Sequence, residues 1–319
     1  MNQPVDAVRD PARFGTTVVK PPDFDQFWQD TLAELARVPL DASIEPVPLR
    51  STPEVEVFDV RWSSWQGLRI AGWYCRPRGA TGRLPGLIHV PGYVSEPLLP
   101  KPSAKLGYCA LSVAPRGKLR SNDRFNPGYP GLLTHNVVDR NTYGYRGFYC
   151  DALRAVDWLL TRPEVDPGRI GVTGSSQGGA LTIVVSAMRP EITCAAAGAP
   201  YLCGMIDAAG LTHSYPYQEI NDYLRLYPER AEQVRHTLAF FDGVNFAPRI
   251  RCPILVNIGL QDDVCPPETG YAVFEAMTGA AWKQLHPYQD CAHDAGSNAG
   301  HAPLVGRFLA EHLRPGVAA

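Results

Sequence analysis

The chain has 319 residues, of which 45% are hydrophobic and 19% charged, and its formal net charge is −2. Such a nearly neutral chain offers no electrostatic basis for binding nucleic acid or an anionic membrane, so neither partner is expected. No apolar run approaches the roughly 18 residues of a membrane span, and the first ten residues contain no apolar core of signal-peptide length. We therefore expect a cytoplasmic protein that forms a single domain over residues 1–319.

Eight cysteines are spread along the chain without a Cys-x-x-Cys pair. Several lie inside apolar, strand-like runs, for example Cys75 and Cys109. Cysteines in such positions behave as small buried hydrophobic residues. They do not resemble a disulfide framework or a metal site. The sequence therefore predicts free thiols, no bound metal and no other cofactor.

The N-terminal part predicts one helix followed by a β-hairpin. Apolar residues recur at helical spacing over residues 22–38, and Asp23 is placed to cap this helix. Two alternating segments, 55–65 and 68–76, are separated by a short turn. We expect these two segments to pair as antiparallel strands.

Beyond the hairpin, short apolar runs alternate with helical patterns. Alternation of this kind predicts a mostly parallel sheet with helices on both faces, to which the hairpin adds an antiparallel edge. The predicted strands are 84–90, 109–114, 169–173, 195–199, 253–259 and 282–288. The predicted helices are 151–160, 181–188, a helix ending at Met277, and 304–313. Residues 200–250 interrupt the alternation with two aromatic-rich helices, 217–226 and 228–241, and are expected to form an insertion over one end of the sheet.

The segment Gly174-Ser-Ser-Gln-Gly178 stands between a predicted strand and a predicted helix. This is the context in which Gly-x-Ser-x-Gly forms a nucleophile elbow, and the fit places Ser176 at its centre. The backbone of such a serine is strained, so the residues two positions away must lack bulk. Ser175 is expected to point into the sheet side. The competing interpretation is a strand–helix turn that needs glycines for steric reasons only.

An acid and a base follow in the order Ser, Asp, His that this fold uses. Asp262 comes just after the predicted strand 253–259 and is the favoured acid, with Asp263 as the alternative or as a helix cap. Four histidines lie further along the chain, at positions 286, 293, 301 and 312. His293 is favoured as the base because it lies in the loop after the last strand, from which it can reach Ser176. The backbone amides of Tyr93 and Gln177 are the candidate oxyanion donors.

Several stretches resemble the acetyl xylan esterase and cephalosporin C deacetylase family, carbohydrate esterase family seven, which has the α/β-hydrolase fold. These stretches are 23–28, Arg116-Gly117, 151–156, 174–179, 240–246 and 259–267. The resemblance implies Ser176 as nucleophile, Asp262 as acid, His293 as base, the Tyr93 and Gln177 amides as the oxyanion hole, and no metal.

Three departures from the family pattern concern the surroundings of the site. Lys118 and Leu119 replace the last two residues of the usual Arg-Gly-Gln-Gly, Asp294 replaces the glutamate that usually follows the base, and residues 120–129 are shorter than the family's loop. We expect the mouth of the site to differ from that of the family. We also expect a homo-oligomer, although not the family's hexamer.

Taken together, these residues predict a serine esterase that removes short acyl groups, acetyl above all, from sugars or related alcohols. A larger-acyl esterase or a peptidase on the same fold is the first alternative. A non-catalytic hydrolase-like binding protein is the second. It is disfavoured because binding does not require three reactive groups in this order.

Overall fold

The protein is described by a computed structural model that covers residues 10–315. The first nine residues, in which no signal-peptide core was expected, lie outside this range. Within the described part of the chain, no helix combines the length and the hydropathy that crossing a membrane requires.

Within residues 10–315, nine strands form one sheet: β1 Ser43–Pro46, β2 Val55–Ser63, β3 Arg69–Pro77, β4 Leu84–His89, β5 Cys109–Ala114, β6 Val165–Ser175, β7 Ile192–Gly198, β8 Ile254–Gly259 and β9 Lys283–Tyr288. Their order in the sheet is β1-β2-β3-β5-β4-β6-β7-β8-β9. The first three strands and the β3–β5 pair are antiparallel, and every pair from β5 to β9 is parallel. The α/β-hydrolase prediction of a mostly parallel sheet with an antiparallel N-terminal edge is therefore confirmed.

Ten α-helices accompany the sheet within residues 10–315. They are α1 Phe24–Ala36, α2 Lys101–Lys105, α3 Gly144–Leu160, α4 Gln177–Met188, α5 Met205–Leu211, α6 Gln218–Leu226, α7 Ala231–Ala239, α8 Gly243–Phe246, α9 Pro267–Ala276 and α10 His301–Leu313.

The helices cover both faces of the sheet because successive strand residues point to opposite sides. On β4, for example, Leu87 packs with α10 on one face while Ile88 joins the larger core on the other. Helices α1, α3, α4 and α9 contribute to that larger core. Burial of both faces explains why strands such as β5 and β8 are apolar throughout.

The hairpin forms as predicted, with Val55 opposite Pro77 and Ser63 opposite Arg69. Strand β1 was not predicted, because its four residues carry no alternating apolar pattern. The predicted cap of α1 is wrong: Asp23 makes no capping hydrogen bond, and its carboxylate accepts one from Arg140 instead.

Helix α3 begins seven residues earlier than predicted, at Gly144 instead of Asp151. Two glycines, which disfavour helix, obscure this start in the sequence. Gly147 is needed there because a Cβ atom would lie 2.1 Å from a guanidinium nitrogen of Arg116. That guanidinium forms a buried ion pair with Asp151, with a shortest N–O distance of 2.8 Å.

The 200–250 region contains the two predicted helices, α6 and α7, and two that were missed, α5 and α8. Helix α7 begins at Ala231, since Pro228–Arg230 form a separate 3₁₀ turn. The two missed helices have seven and four residues, which is too short for a helical period to be recognised.

Candidate active site

Ser176 lies at the sharp turn between β6 and α4. Its φ of 60° and ψ of −123° are strained for a residue that carries a Cβ atom. The turn is held by a hydrogen bond from the Ser176 amide to the carbonyl of Gly198, and by one from the Tyr201 amide to the carbonyl of Ser176. The backbone of Ser176 is therefore fixed by contacts with the end of β7 and the residues that follow it.

The glycines around Ser176 are required by close backbone packing. A Cβ atom at Gly174 would lie 2.6 Å from the carbonyl oxygen of Val90, and one at Gly178 would lie 2.4 Å from the same oxygen. A Cβ atom at Gly179 would come within 2.4 Å of the Gly198 carbonyl oxygen. No side chain fits at these positions unless the sheet or the helix moves.

The prediction for Ser175 is wrong. Ser175 is the last residue of β6, and its exposed side chain lines a cleft on the α10 side of the sheet. Thr173, two residues earlier on β6, points to the same face of the sheet and also lines this cleft. The cleft lies between α2 and α10 and is open, so the exposed hydroxyl meets solvent.

Asp262, His293 and Ser176 form a hydrogen-bonded chain. Nδ1 of His293 lies 2.8 Å from Oδ2 of Asp262, and its Nε2 lies 3.0 Å from Oγ of Ser176. The other oxygen of Asp262 accepts hydrogen bonds of 2.9 Å from the amides of Val264 and Cys265. The Asp262 side chain is buried, whereas that of His293 is 31% exposed. This arrangement orients an imidazole between a fixed carboxylate and a serine hydroxyl.

The alternative candidates lie elsewhere. Asp263 is exposed, caps no helix and accepts a hydrogen bond from the Ser214 hydroxyl. His286 lies in β9, where its ring packs against that of His301 at the start of α10. His312 makes an edge-to-face contact with Phe308 near the end of α10. None of these side chains joins the Ser176 hydrogen-bonded chain.

One group of potential metal ligands occurs in residues 10–315. Atoms of Asp262, Cys265 and His293 lie within 4.8 Å of one another, a proximity that their sequence spacing did not indicate. Burial raises the pKa of the Cys265 thiol well above its usual value, so this sulfur stays protonated, whereas a metal binds thiolate. The carboxylate and the imidazole are also bonded to each other. The group suits a proton relay better than a metal centre.

The eight cysteines within residues 10–315 are free thiols, of which seven are buried and Cys291 is partly exposed.

The Tyr93 and Gln177 amides lie in the segments that surround Ser176. Gln177 is the first residue of α4, where backbone N–H groups lack helical partners. Gly92 and Tyr93 follow β4 and line a cavity together with Ser176 and His293. Neither of the two amides donates a hydrogen bond to another residue within 10–315. Both N–H groups are thus unused donors.

Two buried polar side chains beside Tyr93 were missed by sequence reasoning. Glu219 of α6 accepts hydrogen bonds from the Tyr93 hydroxyl and from the amide of Gly131, the latter at 2.8 Å. Lys118 is fully buried, and its ammonium donates to the carbonyl oxygens of Gly92 and Tyr93. A departure from the family motif was the only signal for Lys118, and Glu219 lies in an ordinary amphipathic helix.

Two cavities meet at Ser176 and His293. The smaller has a volume of about 370 Å³, and the larger, of about 830 Å³, runs past Ser175 toward α2. The smaller cavity is bounded mainly by aromatic, proline and valine side chains, namely Tyr93, Val94, Tyr129, Pro130, Tyr215, Pro216 and Val264.

Comparison with known proteins adds sequence and structural relatives. Residues 11–311 match the family model described as "Acetyl xylan esterase (AXE1)". The acetyl xylan esterase of Paenibacillus sp. R4 is 32% identical, with a TM-score of 0.89 over 96% of this chain and 100% of that chain. Acetyl xylan esterase 1 of a Thermoanaerobacterium species is 27% identical, with a TM-score of 0.88 over 96% of this chain and 98% of its own.

A curated relative is longer than this protein. The acetyl esterase Axe7A of Xylanibacter ruminicola is 30% identical over 285 residues, which are 85% of this chain. The chain spans 63% of the length of that relative.

Proposed function

Because the chain belongs to the acetyl xylan esterase family, we propose that it is a serine esterase that removes acetyl groups from esters of sugars or related alcohols. The observation that carries this proposal is the hydrogen-bonded chain from Asp262 through His293 to Ser176. Such a chain activates a hydroxyl as a nucleophile. Residues 11–311 match the family, so the resemblance extends over the whole scaffold that holds these groups.

In the proposed first step, Oγ of Ser176 attacks the ester carbonyl carbon while Nε2 of His293 takes the hydroxyl proton. The carbonyl oxygen gains the negative charge and is stabilised by the Tyr93 and Gln177 amides. Asp262 holds the tautomer and supports the imidazolium electrostatically. When the carbonyl re-forms, the C–O bond to the alcohol breaks and His293 protonates the leaving oxygen.

In the second step, water attacks the carbonyl carbon of the acyl group bound to Ser176. Nε2 of His293 takes a proton from that water. The resulting tetrahedral intermediate collapses, the bond to Ser176 breaks, and the proton returns to Oγ. Acetic acid is released, and the resting enzyme is restored. No step requires a metal or another cofactor.

The two cavities support a division between acyl and alcohol. We assign the acyl group to the smaller cavity, which aromatic and proline side chains bound beside Ser176. The alcohol then occupies the larger cavity beside Ser175, which accommodates a sugar ring or a bicyclic antibiotic such as cephalosporin C.

The direct experiment is hydrolysis of phenyl acetate, acetylated xylo-oligosaccharides and cephalosporin C by wild type and Ser176→Ala. We expect acetate release by wild type alone, unchanged by EDTA. Loss of activity after chelation, restored by a divalent ion, would contradict the metal-free mechanism. A wild-type protein that binds acetylated sugars without cleaving them would favour the non-catalytic alternative.

The rival acyl hydrolases differ in substrate. A peptidase would cleave acylamino-acid or peptide amides at least as well as acetate esters. A larger-acyl esterase would prefer octanoate esters. Because the chain belongs to the acetyl xylan esterase family, we expect amides and octanoate esters to be poor substrates.

We further propose a cytoplasmic homo-oligomer with a single domain over residues 1–319 and an insertion at 200–250. The free thiols fit a reducing compartment. Large apolar side chains are exposed at Leu98, Leu119 and Leu226, which provides contact area for a second copy. Light scattering at working concentration tests the assembly, and a monomer would contradict it.

A further inference from the structure

Lys118 occupies an unusual position for a lysine. Its side chain is fully buried, behind the loop that follows β4. The turn that carries it is rigid, because the Lys118 amide donates to Pro115 and its carbonyl accepts from Ser121. The neighbouring Arg116 is fixed by the buried ion pair with Asp151. The backbone at Lys118 is therefore fixed, and it directs the lysine side chain into the interior.

The buried ammonium has no carboxylate partner. Within residues 10–315, no acidic oxygen lies within the 4.0 Å of a salt bridge to Nζ of Lys118. The ammonium instead donates to the Gly92 carbonyl oxygen at 2.9 Å and to the Tyr93 carbonyl oxygen, and it lies 4.8 Å from the ring centroid of Tyr129. A buried charge is costly unless polar groups solvate it. Here backbone carbonyls provide the solvation.

The Gly92 carbonyl belongs to the same peptide group as the Tyr93 N–H. Because this group is planar and trans, its N–H points away from the carbonyl oxygen, and so away from Lys118. The side-chain amide of Gln177 also donates to the Gly92 carbonyl, at 3.3 Å, and is itself held by the Tyr145 hydroxyl at 2.8 Å. Rotating this peptide group would break both hydrogen bonds to its carbonyl.

We propose that Lys118 is a positioning residue for the oxyanion hole, acting through the Gly92–Tyr93 peptide group. Its ammonium holds the Tyr93 N–H toward the reacting carbonyl and polarises it, since a donor on a peptide oxygen strengthens the hydrogen bond that the same peptide donates. Its positive charge also stabilises the developing oxyanion through a poorly screened interior. This inference rests on the proposed esterase function.

The charge and the hydrogen bonds of Lys118 can be separated by substitution. Lys118→Gln keeps a donor but removes the charge, and glutamine is the residue expected here from the family pattern. Lys118→Met removes both, and Lys118→Arg keeps both with a longer head group. Lys105→Met, on the half-exposed α2, is the matched control.

Each variant is assayed with phenyl acetate and with two inhibitors. The serine hydroxyl adds to the carbonyl carbon of trifluoroacetophenone and creates an oxyanion. Acetophenone binds without forming this adduct. A group that acts on the oxyanion affects the first inhibitor and the transition state but not the second. We expect Lys118→Met to lower kcat/KM and trifluoroacetophenone affinity by a similar factor of about 100, comparable to the loss of one oxyanion-hole donor. Acetophenone affinity should change less than about two-fold.

The value of kcat/KM should decrease from wild type to Lys118→Gln to Lys118→Met. Lys118→Arg should retain part of the activity that Lys118→Met loses. Equal weakening of both inhibitors would show a merely structural role and overturn the proposal. So would a kcat/KM for Lys118→Met within two-fold of wild type. Should Lys118→Met not fold, the glutamine and arginine variants decide by the same inhibitor comparison.

A pH profile gives a second readout. Burial lowers the pKa of Lys118 to about 8, partly opposed by the carboxylate of Glu96. The ring of Tyr129, whose centroid lies 4.8 Å from the ammonium, also faces it, and burial raises the pKa of that phenol above its usual range. The wild-type kcat/KM should therefore fall as pH rises through about 8, and Lys118→Gln should lack this decline. Identical profiles would contradict a role for the charge.

The activity of the wild type distinguishes a failure of the Lys118 proposal from a failure of the proposed esterase function. An active wild type whose Lys118 variants behave like Lys105→Met overturns the role of Lys118 alone. A wild type that neither cleaves phenyl acetate nor binds trifluoroacetophenone overturns the proposed function together with this inference.

Discussion

Nδ1 of His293 lies 2.8 Å from Oδ2 of Asp262, while the other carboxylate oxygen accepts hydrogen bonds from two backbone amides. The imidazole is therefore oriented by a carboxylate that cannot rotate without losing three hydrogen bonds. An aspartate held in this way differs from its neighbour Asp263, which is exposed and bonded to Ser214.

Asp262→Asn should lower kcat by about 10⁴-fold, because the amide would stabilise the wrong imidazole tautomer. Asp263→Asn should change kcat less than a few-fold, since an amide oxygen still accepts from Ser214. Steady-state kinetics with phenyl acetate measures both. A larger loss in the Asp263 variant would show that the acid has been assigned to the wrong residue.

Ser176→Ala should abolish turnover, a loss of several orders of magnitude, since a proposed triad member is removed. Ser175→Ala should leave a folded enzyme with much of its activity, because this hydroxyl lies outside the hydrogen-bonded chain. Covalent labelling by a fluorophosphonate, read by mass spectrometry, provides a check that does not depend on turnover. Label on Ser175 would overturn the assignment.

Tyr93→Phe should lower the free energy of unfolding by about 1–3 kcal/mol, since buried Glu219 loses a donor. Glu219→Gln should be tolerated better. Burial raises the pKa of Glu219, so the fold disfavours its charged form and loses stability as pH rises through the folded pKa. An uncharged amide avoids that loss. Urea titrations at pH 7 compare the two variants, and a glutamine variant less stable than Tyr93→Phe would contradict this account.

Stability should decline as pH falls from about 6.5 toward 4. Burial lowers the pKa values of His89 and His301 to about 4, below their ordinary value of 6.5. The unfolded chain therefore takes up protons first, and the stabilisation present above pH 6.5 is lost on acidification. Thermal unfolding from pH 7.5 to 4.5 should show a shallower decline for His301→Leu than for wild type. The exposed His236 provides the control, as His236→Gln should follow the wild-type curve.

Acetate esters should be preferred over butyrate, and octanoate esters should be poor, because the loop at Tyr93 and the turn at Ser176 bound the proposed acyl side of the site. Val264→Ala removes two methyl groups from its wall and should raise the butyrate-to-acetate ratio of kcat/KM. Val305→Ala lies beyond Ser175 on α10 and should leave this ratio unchanged. An octanoate rate equal to the acetate rate in wild type would contradict the closed cavity.

The strand–helix alternation and the three reactive residues could be read from the sequence because each has a local signature. Gly174 and Gly178 flank the serine at fixed offsets, and Asp262 and His293 each follow a predicted strand. The predicted triad residues lie within hydrogen-bonding distance of one another. Their catalytic roles remain predictions until the variants are assayed.

The remaining features depend on contacts between distant segments. Lys118 was noticed only as a departure from a motif, because its partners, the Gly92 and Tyr93 carbonyls, lie about 25 residues away and carry no side-chain signal. Glu219 meets Tyr93 across 126 residues. The start of α3 was missed because Gly144 and Gly147 disfavour helix, although packing against Arg116 requires a glycine at 147.

The steric demand at the elbow has an evolutionary consequence. Val90 and Gly198 exclude a Cβ atom at Gly174, Gly178 and Gly179 whether or not Ser176 reacts. A descendant that lost hydrolysis would still be selected to keep these glycines, since replacing one would disturb the sheet. Its serine, aspartate and histidine would be free to drift. Among diverging copies of this gene, Asp262 and His293 are therefore the informative markers of retained chemistry, and the glycine pattern reports only that the scaffold survives.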